Sequence, residues 1–280
     1  MTAESVLVFD VTGEFGFFRV PESTRSTLSF PFTRTAILGI IAAILGYDRN
    51  SYWEENNPLA NAQIGLEIIK PLAHTSLTVN YLQTKSTLNI GGRSSLYTLL
   101  PTGTYRGFVT AVRLDLLRDV HYRVYFNSND DTLKSHLKEY LENNWTEFPP
   151  YLGHANLLAD IIYIGDFPYT IVNSKKASIN SVVPGSYVDI NKKELPLFNL
   201  ATIITGIPIR YRVKNHEIIQ AINENFIIPS RDATSVSLNL KEEYNLYEVQ
   251  TEKQQGKNKV IVFMPDGREI KREEFSKIID

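Results

Sequence analysis

Three observations predict an α+β chain whose first part has a ferredoxin-like (RRM-like) fold. Hydrophobic periodicity over residues 1–165 reads strand, helix, strand, a long β-excursion, then strand, helix, strand. From about residue 166 the pattern changes to short strands and Pro/Gly turns, which predicts a smaller β-rich C-terminal unit over 166–280. The 280 residues are 43% hydrophobic and 21% charged. That composition can build a core, and it excludes a disordered, collagen-like or coiled-coil chain.

The elements follow in order. Ser5 to Asp10 (SVLVFD) is apolar on both faces and predicts a central strand. Gly13 to Arg19 (GEFGFFR) reads as a loop, with Gly13 and Gly16 supplying turns at positive φ. Pro31 to Leu45 reads as a helix, with Pro31 in its first turn, Thr33 as cap and Gly46 as its stop. Its small residues Ala36, Gly39, Ala42 and Ala43 permit close approach. Trp53 to Asn57 reads as loop, and Ile64 to Lys70 and Leu77 to Thr84 as strands. Residues 89–107 hold Gly91, Gly92, Pro101 and Gly103 and read as the tip of the β-excursion. Phe108 to Leu117 alternates apolar and polar, and His121 to Phe126 is a further strand. Asp131 to Asn143 places Leu133, Leu137, Tyr140 and Leu141 on one helical face, with Asn129 or Asp130 as cap. Ala159 to Ile164 is the next strand. Beyond it, Ile207 to Val213 and Val260 to Met264 read as strands, Asn215 to Phe226 as a short helix, and Pro265-Asp266-Gly267 as a turn.

Charge and missing chemistry narrow the function. Lys and Arg total 29 against 31 acids, a formal net charge of -2. That sum does not announce a nucleic-acid binder. It hides a 47-residue window, 68–114, that holds no acid but five cations, Lys70, Lys85, Arg93, Arg106 and Arg113. The chain's average would place about five acids there. The absence of Cys removes disulfides, thiolate metal sites and Cys nucleophiles, and suits a cytoplasmic location. The apolar run Ala36 to Leu45 is about half the ~20 residues a membrane span needs, so no membrane partner is expected. The five histidines (His74, His121, His136, His154, His216) form no H-E-x-x-H motif. No P-loop, G-x-S-x-G or dinucleotide fingerprint is present. No catalytic residue, metal or cofactor is expected.

Residues 10–49, DVTGEFGFFRVPESTRSTLSFPFTRTAILGIIAAILGYDR, resemble the N-terminal signature of the CRISPR-associated Cas-five family. The matching positions are Gly13, Gly16, Phe18, Arg19, Pro31, Arg34, Thr35, Ala36, Ile37, Gly39, Leu45 and Gly46. Tyr151-Leu152-Gly153 through Ala159 (YLGHANLLA) is a second match. The resemblance is most like type I, subtype B. It implies a ferredoxin-like palm with an inserted β-hairpin thumb, here at about 73–107. It implies an RNA-binding structural subunit of a Cascade surveillance complex that grips the crRNA 5′ handle. The implied partners are the crRNA, the Cascade backbone subunit, the Cascade large subunit and, through the complex, target DNA.

A single-stranded RNA handle needs cations for phosphates, planar groups for stacking and small residues where the backbones pass. Lys85, Arg93 and Arg106 supply charge in the acid-free window. Tyr97 and Tyr105 supply stacking surfaces, and Gly91 and Gly92 permit approach. Arg19, Arg25 and Arg34 are expected to hold handle phosphates or bases, with Gly13, Gly16 and Gly39 leaving room. The plain alternatives are a solvated hairpin for the window and, for Arg34, an ion pair with Glu14 or Asp10. Two rival functions stand beside this one. One is a protein-interaction module without RNA. The other is a metal-independent endoribonuclease that processes precursor crRNA. Relatives in subtype C use a Tyr and a Lys-His pair for that cleavage; here Tyr47 follows the helix, and His121-Tyr122-Arg123 is the nearest substitute for the pair.

Overall fold

The computed structural model describes residues 4–19, 33–54, 56–82, 109–188, 201–215, 217–229, 235–241, 244–251 and 258–268. Two helices, α1 (Arg34–Leu45) and α2 (Asp131–Glu142), accompany twelve strands, so the described chain is mostly β. The strands are β1 (Ser5–Gly16), β2 (Gln63–Ile68), β3 (Ala73–Leu82), β4 (Val109–Asn127), β5 (Asp160–Asn173), β6 (Lys176–Ile179) and β7 (Val183–Pro184). They continue with β8 (Ala201–Lys214), β9 (Glu217–Pro229), β10 (Val236–Asn239), β11 (Asn245–Val249) and β12 (Lys259–Ile261).

The main sheet runs β12-β11-β5-β1-β4-β2, with β3 also on β4, and every pairing in it is antiparallel. Strand alternation divides β1 between two cores. Leu7, Phe9 and Val11 pack with the apolar faces of α1 and α2. Val6 and Val8 pack on the other face with Tyr125, Tyr247, Val249, Ile261 and Phe263. The central position expected of SVLVFD follows from this burial on both sides.

β4 does two jobs along its length. Its C-terminal half pairs with β1 and β2. Its N-terminal half pairs with β3, from Ala73 opposite Arg118 to Leu82 opposite Val109. β3 and β4 thus form a ribbon that carries the chain to and from segment 83–108. The two strands expected over 108–126 are one strand, with Asp119 at φ 55 where a break was expected.

The helix ends follow the signals at Thr33, Gly46 and Asp130, while Pro31, expected in the first turn of α1, lies outside the described residues. The Thr33 side chain accepts from the Ala36 amide, and Gly46 closes α1 at φ 78. The Asp130 carboxylate accepts from Leu133 N and caps α2.

Two expectations are corrected. Asn215 to Phe226 is not a helix, because β9 covers that stretch and pairs with β8. Ile218, Ile222 and Phe226 are four residues apart, a spacing that fits a helix face and also every second pair of a strand. The β-branched isoleucines and the partner β8 decide for the strand. Residues 13–16 are not a loop either, since β1 runs through Gly16. Among the described glycines, Gly46, Gly153, Gly165, Gly206 and Gly267 have positive φ; Gly13 and Gly16 do not. The C-terminal residues form a two-stranded sheet, β10-β6, and a three-stranded one, β7-β9-β8, over a smaller core. Their β11 and β12 return to the main sheet beside β5.

Candidate nucleic-acid interface

Two cavities lie along α1. The smaller, about 250 Å³, is lined by Phe17, Phe18, Arg19, Thr33, Thr35, Ala36, Gly153, Pro208 and Tyr211. The larger, about 550 Å³, has Ala36, Gly39 and Ala43 of α1 in its lining, with residues 47–50, Tyr52, Phe148, Pro149, Tyr151 and Gly153. Thr35, Ala36 and Gly153 line both, so the cavities adjoin along α1 and are together termed the groove.

Local sequence explains how the groove is built. α1 buries its large residues Ile37, Leu38, Ile40, Ile41, Ile44 and Leu45 in the core. That leaves Ala36, Gly39 and Ala43, at helical spacing, on the side that is only partly covered. Segment 147–153 is laid against this side by backbone bonds from Glu147 N to Ile44 O (3.1 Å) and from Phe148 N to Ala43 O (3.0 Å). Phe17 N donates to Leu152 O at 2.9 Å. A Cβ on Gly13 would lie 2.4 Å from Leu152 Cδ1, and one on Gly153 would lie 2.1 Å from Phe17 O. These glycines admit their own chain. For Gly13 and Gly16 the expected approach of RNA is corrected accordingly: Leu152, with Val120 at Gly16, occupies that space. Gly39 does line the groove, and a Cβ there would meet the Tyr52 hydroxyl at 3.3 Å.

Aromatic rings line the groove and continue behind it. Tyr52 packs on Trp53, and Trp53 meets Tyr211 edge-on at 5.4 Å. Burial, helped by nearby Tyr151 and Tyr211, pushes the Tyr52 phenol above its usual value, so it is a neutral hydrogen-bonding group at neutral pH. Trp145, Phe148 and Tyr151 are 54%, 49% and 47% exposed. That is a concentration of apolar surface in seven residues which the fold itself does not bury.

The expected RNA contacts are distributed unevenly. Arg19 is exposed at the smaller cavity. Arg34 is 0% exposed, and its expected phosphate contact is corrected. Its guanidinium donates to the carbonyls of Ile209 (3.0 Å), Ala60 (2.9 Å) and Ala62 (2.7 Å). Nor does it pair with Glu14 or Asp10, the alternative considered for it. Burial pushes its pKa down to about 9 despite Asp266, which leaves it charged at neutral pH. Arg25, Lys85, Gly91, Gly92, Arg93, Tyr97, Tyr105 and Arg106 lie outside the described residues.

The sheet face away from the helices carries a second polar cluster. Arg123 makes a two-pronged ion pair with buried Asp10, at 2.7 and 3.0 Å. His121 Nε2 lies 2.9 Å from the same carboxylate. Asp10, chiefly through its hydrogen bonds, holds the Arg123 guanidinium above its ordinary value. Nearby, Glu67 accepts from Tyr125 (2.7 Å) and Lys259 (2.6 Å). Tyr47 packs against the helix-side core, whereas His121 projects to the opposite face because its neighbour Tyr122 fills that core. The structure does not bring those two residues together. Among the described residues no group of three or more His, Cys, Asp or Glu could hold a metal ion, and no helix is long and apolar enough to cross a membrane.

Sequence reasoning missed Arg49, Tyr52, Phe148 and the buried role of Arg210. The available signal was the run of three aromatics around Pro149-Pro150. Arg210, on β8, donates to Ala60 O (3.0 Å), Asn61 Oδ1 and Asp266 O.

No family model and no curated protein sequence matches the chain. Solved structures do. One, described as a CRISPR RNA-guided surveillance complex, is 14% identical with a TM-score of 0.45, over 83% of this chain and 91% of its own. A second, a CRISPR-associated protein, is 14% identical with a TM-score of 0.41, over 87% and 96%. A third, from a Type III-B Cmr-beta complex bound to cognate target RNA and AMPPnP, is 10% identical with a TM-score of 0.40, over 84% and 86%.

Proposed function

We infer that this chain is an RNA-binding structural subunit of a type I CRISPR surveillance complex, resembling the Cas-five family and most like subtype B. One observation carries the reading. The two stretches that hold the family signature, 10–49 and 151–159, are more than 100 residues apart in sequence. They meet in the fold, Gly13 against Leu152 and Gly153 against Phe17, and Phe17, Arg19, Gly153 and the small face of α1 line the adjoining cavities. The order β5-β1-β4-β2, with both helices on one face, supports a ferredoxin-like palm. The β3–β4 ribbon supports a thumb over about 73–107. In this reading the groove and the thumb grip the crRNA 5′ handle. The chain caps the backbone subunit, touches the large subunit and meets target DNA only through the complex.

The test is affinity purification of the tagged chain from cells that naturally make it. A short RNA with a constant 5′ end and several partner proteins should be recovered. Recovery of the chain alone, free of RNA, favours a protein-interaction module. The chain is read as a binder and not an enzyme. Repeat-containing precursor RNA incubated with the purified chain and EDTA should stay intact. Specific cleavage lost in His121→Ala would establish the endoribonuclease reading instead.

A further inference from the structure

We propose that the larger cavity beside α1 is a subsite for one unstacked nucleotide of a bound single-stranded RNA. The base would lie against Tyr52, Phe148 and Tyr151, and its phosphate would be met by Arg49. The proposal rests on the RNA-binding reading of the groove and adds a particular ligand and place to it.

Size and chemistry both point there. The space is about 550 Å³, within the range of sites that enclose a small ligand. Its floor is kept open by Gly39 and Ala43, and its lining includes phenol and phenyl rings. Flat rings stack on any base, which is how single-stranded nucleic acid is held without sequence preference. A purely apolar ligand would leave the rim without a purpose, because the rim carries exposed Arg49 and Asp48 beside Asn50. A guanidinium suits phosphate, and Asp48 and Asn50 can accept from a base edge or a ribose hydroxyl. The cavity also adjoins the smaller one, which Arg19 lines, across the shared Thr35, Ala36 and Gly153. A strand can therefore place one phosphate at Arg19 and the neighbouring base in the larger cavity. The exposure of Phe148 and Tyr151 is accounted for in the same way.

Free mononucleotides share this chemistry, so the experiment carries both. Fluorescence anisotropy would follow fluorescein-labelled rA8, rC8 and rU8 binding to the full chain, with AMP as competitor. The variants are Ala43→Leu, which fills the cavity from a helix position that tolerates Leu, Tyr151→Ala and Arg19→Glu. Ala43→Leu and Tyr151→Ala should each weaken octamer binding about tenfold, the loss expected for one stacked base. Unfolding midpoints should not change, and AMP should compete only at millimolar concentration. Should Ala43→Leu disturb folding, exposed Tyr151→Ala still decides the matter. Wild-type octamer affinity in both variants, with Arg19→Glu weakened, overturns the subsite and leaves the RNA reading intact. Micromolar AMP binding lost in Ala43→Leu overturns the strand assignment in favour of a free nucleotide. Failure of the wild-type chain to bind any octamer or AMP overturns both the subsite and the RNA reading.

Discussion

Replacing Arg34 with Met tests whether this signature residue serves the fold or the RNA. Its guanidinium is fully buried and feeds three carbonyls on two separate segments, 60–62 and Ile209. Methionine fills much of the same volume and donates nothing. The Ala60 carbonyl keeps a donor, because Arg210 reaches it at 3.0 Å. The Ala62 and Ile209 carbonyls lose theirs. A buried acceptor stripped of its partner costs about 1–3 kcal/mol, so two cost roughly 2–6 kcal/mol. Relief from burying a charge offsets part of that. The expected net loss is about 3 kcal/mol. With an m-value of about 3 kcal/mol/M, the urea midpoint falls by about 1 M. Arg34→Lys should fall in between, because one ammonium cannot span all three acceptors in the guanidinium's planar geometry. The assay is equilibrium urea unfolding, paired with RNA affinity at a temperature where both proteins are folded. An unchanged midpoint with RNA affinity lost would refute the reasoning and return Arg34 to the RNA.

Three further outcomes follow from the geometry. Gly153→Ala combines φ +81 with a Cβ 2.1 Å from Phe17 O. It should lower stability by about 2 kcal/mol or more, seen as a lower thermal midpoint. Gly206→Ala has positive φ with open space around its Cβ, so its loss should stay near 1 kcal/mol in the same melt. Asp10→Asn should cost about 2 kcal/mol in urea unfolding, because it leaves the half-buried Arg123 without its hydrogen-bonded carboxylate and with only nearby Glu67 as counter-charge.

Local signals made the helices, the central strand and the general strand order legible in the sequence. Thr33 and Gly46 mark α1 through hydrogen bonding and φ, and SVLVFD can only be buried on both sides. Residue 215 onward was not legible, because 218, 222 and 226 satisfy both a helical and a strand repeat until a pairing partner is known. Gly13 and Gly16 were legible as constrained positions, but their cause was misread. The need is for space beside Leu152, a neighbour more than 130 residues away in sequence that no local pattern reveals. Arg34 was misread for the same reason: a charged residue at a helix start looks exposed until Ala60, Ala62 and Ile209 turn their carbonyls towards it. The groove itself is a product of such long-range packing. Its small-residue floor was visible in the sequence, and the aromatic lining from 52 and 148–151 was not.

The groove's role is tested most directly by ultraviolet crosslinking of the RNA-bound chain, recovered from cells that make it, followed by mass spectrometry of the crosslinked peptides. The account predicts crosslinks within 17–19, 47–53 and 145–153, the stretches that line or border the groove. Crosslinks that avoid all three, in a chain that still carries RNA, would contradict it.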